Sequence, residues 1–321
     1  MKWPTYRKLA KRAESLGLNR LVRLMGSWRG LLVLTYHRVG DAECCEFDRG
    51  VYSTDEASFA QQMEFIHRHF EVVGIDDVVR RPADDWKKRQ AVMITFDDGY
   101  VDNYEIAFPI LQRLGISALF FVTSGFIDRR SIAWWDEIAW MMRKQYAGSS
   151  QNEIDDAIVQ TVEGYYEIPE AEFEDYLNRV GDVAQTGRFE GASPVWMNWD
   201  MLREMAAAGM SFGGHTVSHP ILTRTHSGNW EHELTEGRRR LEEELDVDVQ
   251  VFSYPVGNPD CFSVDIKQQT AKHYRAAFSC YGGVNQGKSA GSWDRFDLRR
   301  WPVFGSMKQF RLTTTWPQFL N

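Results

Sequence analysis

Two groups of side chains in this sequence have the types and spacing to hold a cation and move a proton. The first is Asp97-Asp98, adjacent carboxylates that end the apolar run Met93-Ile94-Thr95-Phe96 and precede Gly99. Neighbouring ionised carboxylates repel, so at least one needs a cation, a donor network or a raised pKa. Asp-Gly is also a common turn dipeptide, and read alone the pair is equally a solvated turn. The second group is His215-Thr216-Val217-Ser218-His219-Pro220, two imidazoles four positions apart in a polar loop. Gly213-Gly214 leave its approach flexible, and Pro220 limits helix at His219. Surface helices produce such histidine pairs too. Taken together, one carboxylate and two neutral imidazoles make a three-ligand site that leaves positions open for water and substrate. Asp98, His215 and His219 would then hold the metal, with Asp97 free to take a proton from water. No HExxH is present, which disfavours a zincin protease.

These residues need rigid elements behind them. Leu31 to His37 reads as a continuously apolar strand ending in polar groups, the pattern of a strand covered on both faces. Similar runs recur at 91–96, 117–123, 211–215, 251–254 and 275–279. Helical patterns lie between several of them. Phe59, Met63, Ile66 and Phe70 form one, Ile106, Ile110, Leu111 and Leu114 another before Gly115, and 199–208 a third, with Asn198 as N-cap and Gly209 as stop. Buried strands alternating with helices imply parallel βα units. The stretch from about 130 to 194 breaks this rhythm: it is aromatic and then acidic with helical patches, and reads as an inserted helical subdomain. Trp134 and Trp135 serve there either to pack the insertion on the barrel or, less often for aromatics, to face substrate.

Thr95-Phe96-Asp97-Asp98-Gly99 and His215-Thr216-Val217-Ser218-His219-Pro220 resemble the first two motifs of the polysaccharide deacetylase family, also known as the NodB-homology or carbohydrate esterase family 4 enzymes. Both match in full and in family order, and 199–209 resembles the helix that precedes the histidine motif. The resemblance spans Leu31 to about Val303 outside the insertion. It implies an α/β fold, a distorted (β/α)7-type barrel, and hydrolysis of an N-acetyl group on an amino sugar. Asp97 would be the base. Asp98, His215 and His219 would hold a divalent ion, zinc first, with Co2+, Ni2+ or Mn2+ as alternatives. Thr216 and Ser218 would stabilise the loop.

The chain also departs from the family pattern. The third motif usually carries an arginine that orients the catalytic aspartate; here Val251-Phe252-Ser253-Tyr254-Pro255-Val256-Gly257 puts Ser253 in its place. This form resembles the branch acting in exopolysaccharide and lipid-linked sugar pathways, where a later arginine follows the last barrel strands. Arg300 aligns best with it, Arg299 second. Tyr254, Pro255 and Val256 would border the substrate, with the Val256 amide stabilising the oxyanion. The family's usual acid is a late histidine, and none follows Val303. His37, at the end of the first strand, would lie near the metal and protonate the leaving amine, or else fix its own loop as a core histidine. Two competing classes remain: a catalytically weakened carbohydrate-binding or scaffold protein, and a hydrolase of a non-sugar amide.

Composition sets the outer bounds. The 321 residues suit one large α/β domain, and a net charge of −8 disfavours nucleic acid as partner. Four cysteines without regular spacing suggest ordinary thiols. No apolar run reaches the roughly 18 residues of a membrane span, and no signal-peptide core begins the chain, so cytoplasmic residence is the expectation. The division expected is a basic helical segment over 1–30 and a barrel over 31–321. The basic segment interleaves leucines with Lys2, Arg7, Lys8, Lys11, Arg12, Arg20, Arg23 and Arg29. It would pack on the barrel, or lie peripherally on the anionic inner face of a membrane.

Overall fold

The computed structural model describes residues 28–286, 293–315 and 317. The helix expected in the basic first segment lies almost wholly outside the described residues. Among the described residues, seven parallel strands close into a ring: β1 (Gly30–Tyr36), β5 (Gln90–Phe96), β6 (Leu119–Val122), β7 (Ser211–Gly214), β8 (Val251–Ser253), β9 (Ala276–Ser279) and β10 (Leu298–Pro302). β1 closes it by pairing with β5 along its whole length, Gly30 opposite Gln90 through Tyr36 opposite Phe96, and with β10 on its other edge. The short β4 (Glu71–Val72) pairs with Ala91 and Val92, on the part of β5 that β6 does not reach. A small parallel pair, β2 (Arg38–Val39) with β3 (Tyr52–Thr54), follows β1.

Alternation along the strands separates two cores. Leu31, Val33, Ala91, Met93, Leu119, Phe121, Val251, Ala276, Phe278 and Leu298 pack together, joined by Val78, Val79 and Trp86 from the segment before β5. The intervening residues, among them Leu32, Leu34, Val92, Ile94, Phe120 and Phe252, pack instead under helices. The first group therefore fills the ring and the second faces outward, as a period of two requires. Continued along each strand, the inward set places Thr35, Thr95, Asp97, Ser253 and Arg300 toward the carboxyl end of the ring. Gly213 belongs to the same set. A Cβ there would lie 2.6 Å from the Phe121 ring, so the interior leaves β7 room only for glycine.

The covering helices follow the expected periodicities. In α1 (Glu56–His69), Phe59, Met63 and Ile66 are buried and Asp55 caps the start through the Ser58 N–H. α2 (Ile75–Arg80) precedes β5, and α3 (Phe108–Leu114) ends at Gly115 in the left-handed region. The segment 130–194 holds α4 (Trp134–Gln145), α5 (Gln151–Tyr166) and α6 (Phe173–Ala184), which share a core of Ile138, Met141, Met142, Ile158, Tyr165 and Leu177. In α7 (Trp199–Ala207), Asn198 accepts the Met201 N–H at 2.9 Å. α8 (Trp230–Leu245), α9 (Val264–His273) and α10 (Met307–Thr315) complete the described helices. No helix among the described residues is long and apolar enough to cross a membrane.

One placement corrects the sequence expectation. Arg300 does not follow the last barrel strand but lies within it, because 298–302 is itself the strand that closes the ring.

Candidate metal centre

The carboxyl ends of β5 and β7 bring the two motifs together. After Phe96 the chain turns sharply, with Asp98 at φ 75° and Gly99 at φ 101°, and the Asp97 N–H donates to Tyr36 O. After Gly214, Thr216 and His219 also take positive φ, 67° and 58°. Such values are costly for residues other than glycine and persist where surrounding bonds impose them. Here those bonds are visible. The Thr216 hydroxyl donates to His215 O and accepts the His219 N–H, while Ser124 and Gly125 N–H donate to Thr216 and Val217 O. Glu233 of α8 accepts the Val217 and Ser218 amides and the Ser218 hydroxyl. Thr216 and Ser218 thus hold the loop. Glu233 escapes sequence reading because an acid in a helix's first turn looks like ordinary solvated charge.

Asp98, His215 and His219 are all buried, and one ligand atom from each lies within 4.8 Å of the others. Asp98 Oδ1 sits 3.4 Å from His215 Nε2 and 3.3 Å from His219 Nε2. Ligands at about 2.0–2.1 Å from a tetrahedral ion stand about 3.3 Å apart, so this spacing fits a single small divalent cation. Asp98 Oδ1 is also buried without a hydrogen-bond donor among the described residues. His215 Nδ1 lies 2.8 Å from Ser253 O, which fixes its proton there and leaves Nε2 as a lone pair. Burial pushes the His219 imidazole down to about 4, against the pull of Asp98. Burial pushes the Asp98 carboxyl up, but the adjoining His215 and His219 imidazoles and the charge of His37 outweigh it, holding Asp98 well below the usual range. Both imidazoles and the carboxylate are thus ready to coordinate a cation.

A pH dependence follows for the metal-free protein. His219 titrates near 6.5 when unfolded and near 4 when folded. Below about 6.5 the unfolded chain takes up a proton that the native site refuses, so stability will fall as pH drops from 6.5 toward 4. Chemical denaturation of metal-free protein across that window checks this; His219→Ala should flatten the slope and lose metal binding.

Asp97 stands beside the cluster, its Oδ2 3.9 Å from His215 Nε2. Arg300 grips it with two bonds, Nη1 to Oδ1 at 2.6 Å and Nη2 to Oδ2 at 2.7 Å. The remaining guanidinium hydrogens go to Ser279 O, Thr95 Oγ1 and Ser253 Oγ. All five donors are used, and Arg300 is fully buried. Burial pushes the Asp97 carboxyl up, but the Arg300 charge, followed by His215, more than reverses this and holds it below its ordinary value. Ser253, small where an arginine was expected, leaves space for a guanidinium arriving from β10. Arg299, the second choice, is exposed and its Nε donates to Tyr281 OH, because alternation along β10 turns it outward.

The other expected residues divide. His37 is half-buried between β1 and β2; its backbone is pinned by Ser53 Oγ and Asn103 Nδ2, while its imidazole bonds to no described residue. It lies close enough for its charge to bear on Asp97, Asp98 and His219. Val256 has φ 62°, an outlier for a β-branched residue, and its N–H meets no acceptor among the described residues. Pro255 is buried beside it. Tyr254 does not border the site with its side chain: it stacks on Phe262 at 4.3 Å and donates to Phe296 O. The cause is strand parity, since Ser253 points inward and Tyr254 therefore outward.

A parallel ring carrying an Asp-His-His cation cluster, with a buffered carboxylate beside it, defines a metal-dependent hydrolase site at the carboxyl end of a barrel. The family model for polysaccharide deacetylase matches residues 84–276, and the chain belongs to that family. Among solved structures, the Streptococcus pyogenes deacetylase PplD, in complex with acetate, is similar in fold with a TM-score of 0.59 at 18% identity, covering 91% of this chain and 100% of that one. IcaB from Ammonifex degensii is similar with a TM-score of 0.58 at 20% identity, covering 91% and 98%. A curated relative, YxkH of Bacillus subtilis (strain 168), is 52% identical over 33 residues, which span 10% of this chain and 12% of YxkH.

Proposed function

We propose that the protein is a metal-dependent N-deacetylase that hydrolyses the N-acetyl group of an amino sugar in a polysaccharide or glycan precursor, releasing acetate and a free amine. The observation that carries this is the pairing of an Asp98-His215-His219 cluster with a separate carboxylate, Asp97, kept ionised by Arg300. Asp98, His215 and His219 would hold a divalent ion, for which we take zinc, and it would supply Lewis-acid polarisation and a pKa of about 7 for water.

The residues of the chain do the rest. Asp97 takes the proton from the attacking water, which adds to the acetamide carbon. The Val256 amide, which meets no acceptor among the described residues, donates to the oxygen of the tetrahedral adduct. When the C–N bond breaks, the amine leaves with a proton delivered by His37, whose ring bonds to no described residue. Arg300 keeps Asp97 ionised and off the cation, so base and ligand remain distinct although adjacent. This arrangement also weighs against a catalytically weakened scaffold, because the guanidinium missing at Ser253 arrives from Arg300.

His37→Ala is expected to slow turnover about 10²-fold, with partial recovery on adding imidazole to the buffer. Unchanged turnover would remove His37 from the reaction. Acetate release from N-acetylhexosamine oligomers, compared with acetate release from simple acetanilides and ammonia release from ureides, tests the substrate class; hydrolysis confined to the non-sugar substrates would overturn it.

A further inference from the structure

The two histidine ligands are held in different ways. His215 has its Nδ1 on Ser253 O, whereas His219 Nδ1 is buried and has no hydrogen-bond partner among the described residues. On its Nδ1 side nothing polar among the described residues fixes the rotation of the His219 ring, whose Nε2 faces Asp98 Oδ1 at 3.3 Å, and its backbone is already in the left-handed region. What restrains the ring is packing. Trp135 and the other ligand, His215, meet it in T-shaped contacts at 4.7 and 4.8 Å between centroids, and Phe126 lies farther off at 6.5 Å.

Trp135 is itself tied down. Its Nε1–H donates to Tyr100 OH at 2.7 Å, and Tyr100 OH donates to Asp136 Oδ2 at 2.9 Å. Asp136 Oδ1 accepts the Asp48 N–H, and the Tyr100 ring is packed between Trp196 and the Arg38 guanidinium. Trp135, Asp136 and Tyr100 are all buried. Tyr100 stands two residues beyond Asp98, while Trp135 and Asp136 come from α4 in the insertion.

We propose that Trp135 is a positioning residue for the metal ligand His219, locked by Tyr100 and Asp136, so that the inserted helices set the geometry of the centre instead of merely covering the barrel. This rests on the metal reading above. Without the indole edge the imidazole can turn about its Cβ–Cγ bond, taking Nε2 off the line to Asp98 Oδ1. Because Tyr100 shares the loop of Asp98, one network then orients ligands from two strands.

The test is zinc affinity, measured by competition titration on metal-free wild type, Trp135→Leu, Tyr100→Phe and Trp140→Leu, with the cobalt absorption spectrum as a readout of ligand geometry. Trp140 is on the same helix and packs on Phe189, so its variant controls for general loosening of the insertion. Trp135→Leu should lower affinity about 10–100-fold and alter the cobalt spectrum, Tyr100→Phe should lower it about 10-fold, and Trp140→Leu should bind as wild type. Wild-type affinity in Trp135→Leu, or an equal loss in Trp140→Leu, overturns the inference. If Trp135→Leu does not fold, Tyr100→Phe decides, and unchanged affinity there overturns it. A wild type that binds no ion would instead sink the metal reading.

Discussion

Arg300→Met is expected to cost about 3–5 kcal/mol of folding stability at neutral pH, the range for stranding one member of a buried ion pair. Methionine replaces most of the volume but none of the five donors, and Asp97 is left ionisable inside the ring with no counter-charge on its far side. The pH dependence separates this from simple loss of packing. In the wild type, burial raises and Arg300 more strongly lowers the Asp97 pKa, so the pair's contribution is present above the unfolded value of 3.8 and is lost as pH falls through the lower native value. In Arg300→Met the burial acts without that opposition. The native carboxyl then titrates higher than the unfolded one, and the variant will lose stability as pH rises past about 4. Urea denaturation at several pH values between 4 and 8 measures the slope. A variant as stable as wild type at pH 7 would mean that Arg300 does not hold Asp97 ionised. For turnover, the acid limb of the rate profile should move to higher pH, and Arg300→Lys should fall between, keeping charge but losing the bidentate fork.

The second large effect is on chemistry. Asp97→Asn should lower kcat/KM for acetate release by about 10²–10⁴-fold while metal affinity stays that of wild type. The amide fills the same space and can still receive one bond from Arg300, but it cannot accept the water's proton. Asp98→Asn should behave differently, because Asp98 supplies the oxygen that lies between both imidazoles; there the loss should begin with metal binding. Metal affinity and turnover measured together on the two variants divide the adjacent carboxylates. Equal loss of metal in both would contradict their separation into base and ligand. The Asp97 variant also leaves Arg300 unpaired, so its melting must be followed to confirm that the loss is not of folded protein.

Much of this site can be read from the chain because its ligands sit in two short motifs at strand ends, where apolar run, acid pair and glycine follow one another without interruption. The strands of the ring are nearly as clear: burial on both faces makes 31–34 and 91–94 continuously apolar. β10 is the exception. Leu298-Arg299-Arg300-Trp301-Pro302 has no apolar run and two adjacent cations. It is a strand because the ring needs a last member beside β1, and one of its arginines can turn inward because Asp97, Ser253 and Thr95 meet it there. Tyr254 misleads for a related reason, since its neighbourhood in a motif says nothing about parity until Ser253 is seen to face in. Trp135 and Glu233 lie beyond local reading altogether. Their partners, His219 and the 217–218 loop, are distant in sequence for Trp135 and on a different element for Glu233, and nothing in their own surroundings distinguishes them from core aromatic and surface acid.

The central claim, that a cation held by Asp98, His215 and His219 is required to remove an acetyl group from an amino sugar, is tested most directly by metal depletion and reconstitution. Protein stripped with a chelator and dialysed would be assayed for acetate release from N-acetylhexosamine oligomers as zinc is returned. Release should be absent in the stripped protein and rise to a plateau at one ion per chain. Undiminished release without any bound ion, or no ion bound after reconstitution, would contradict it.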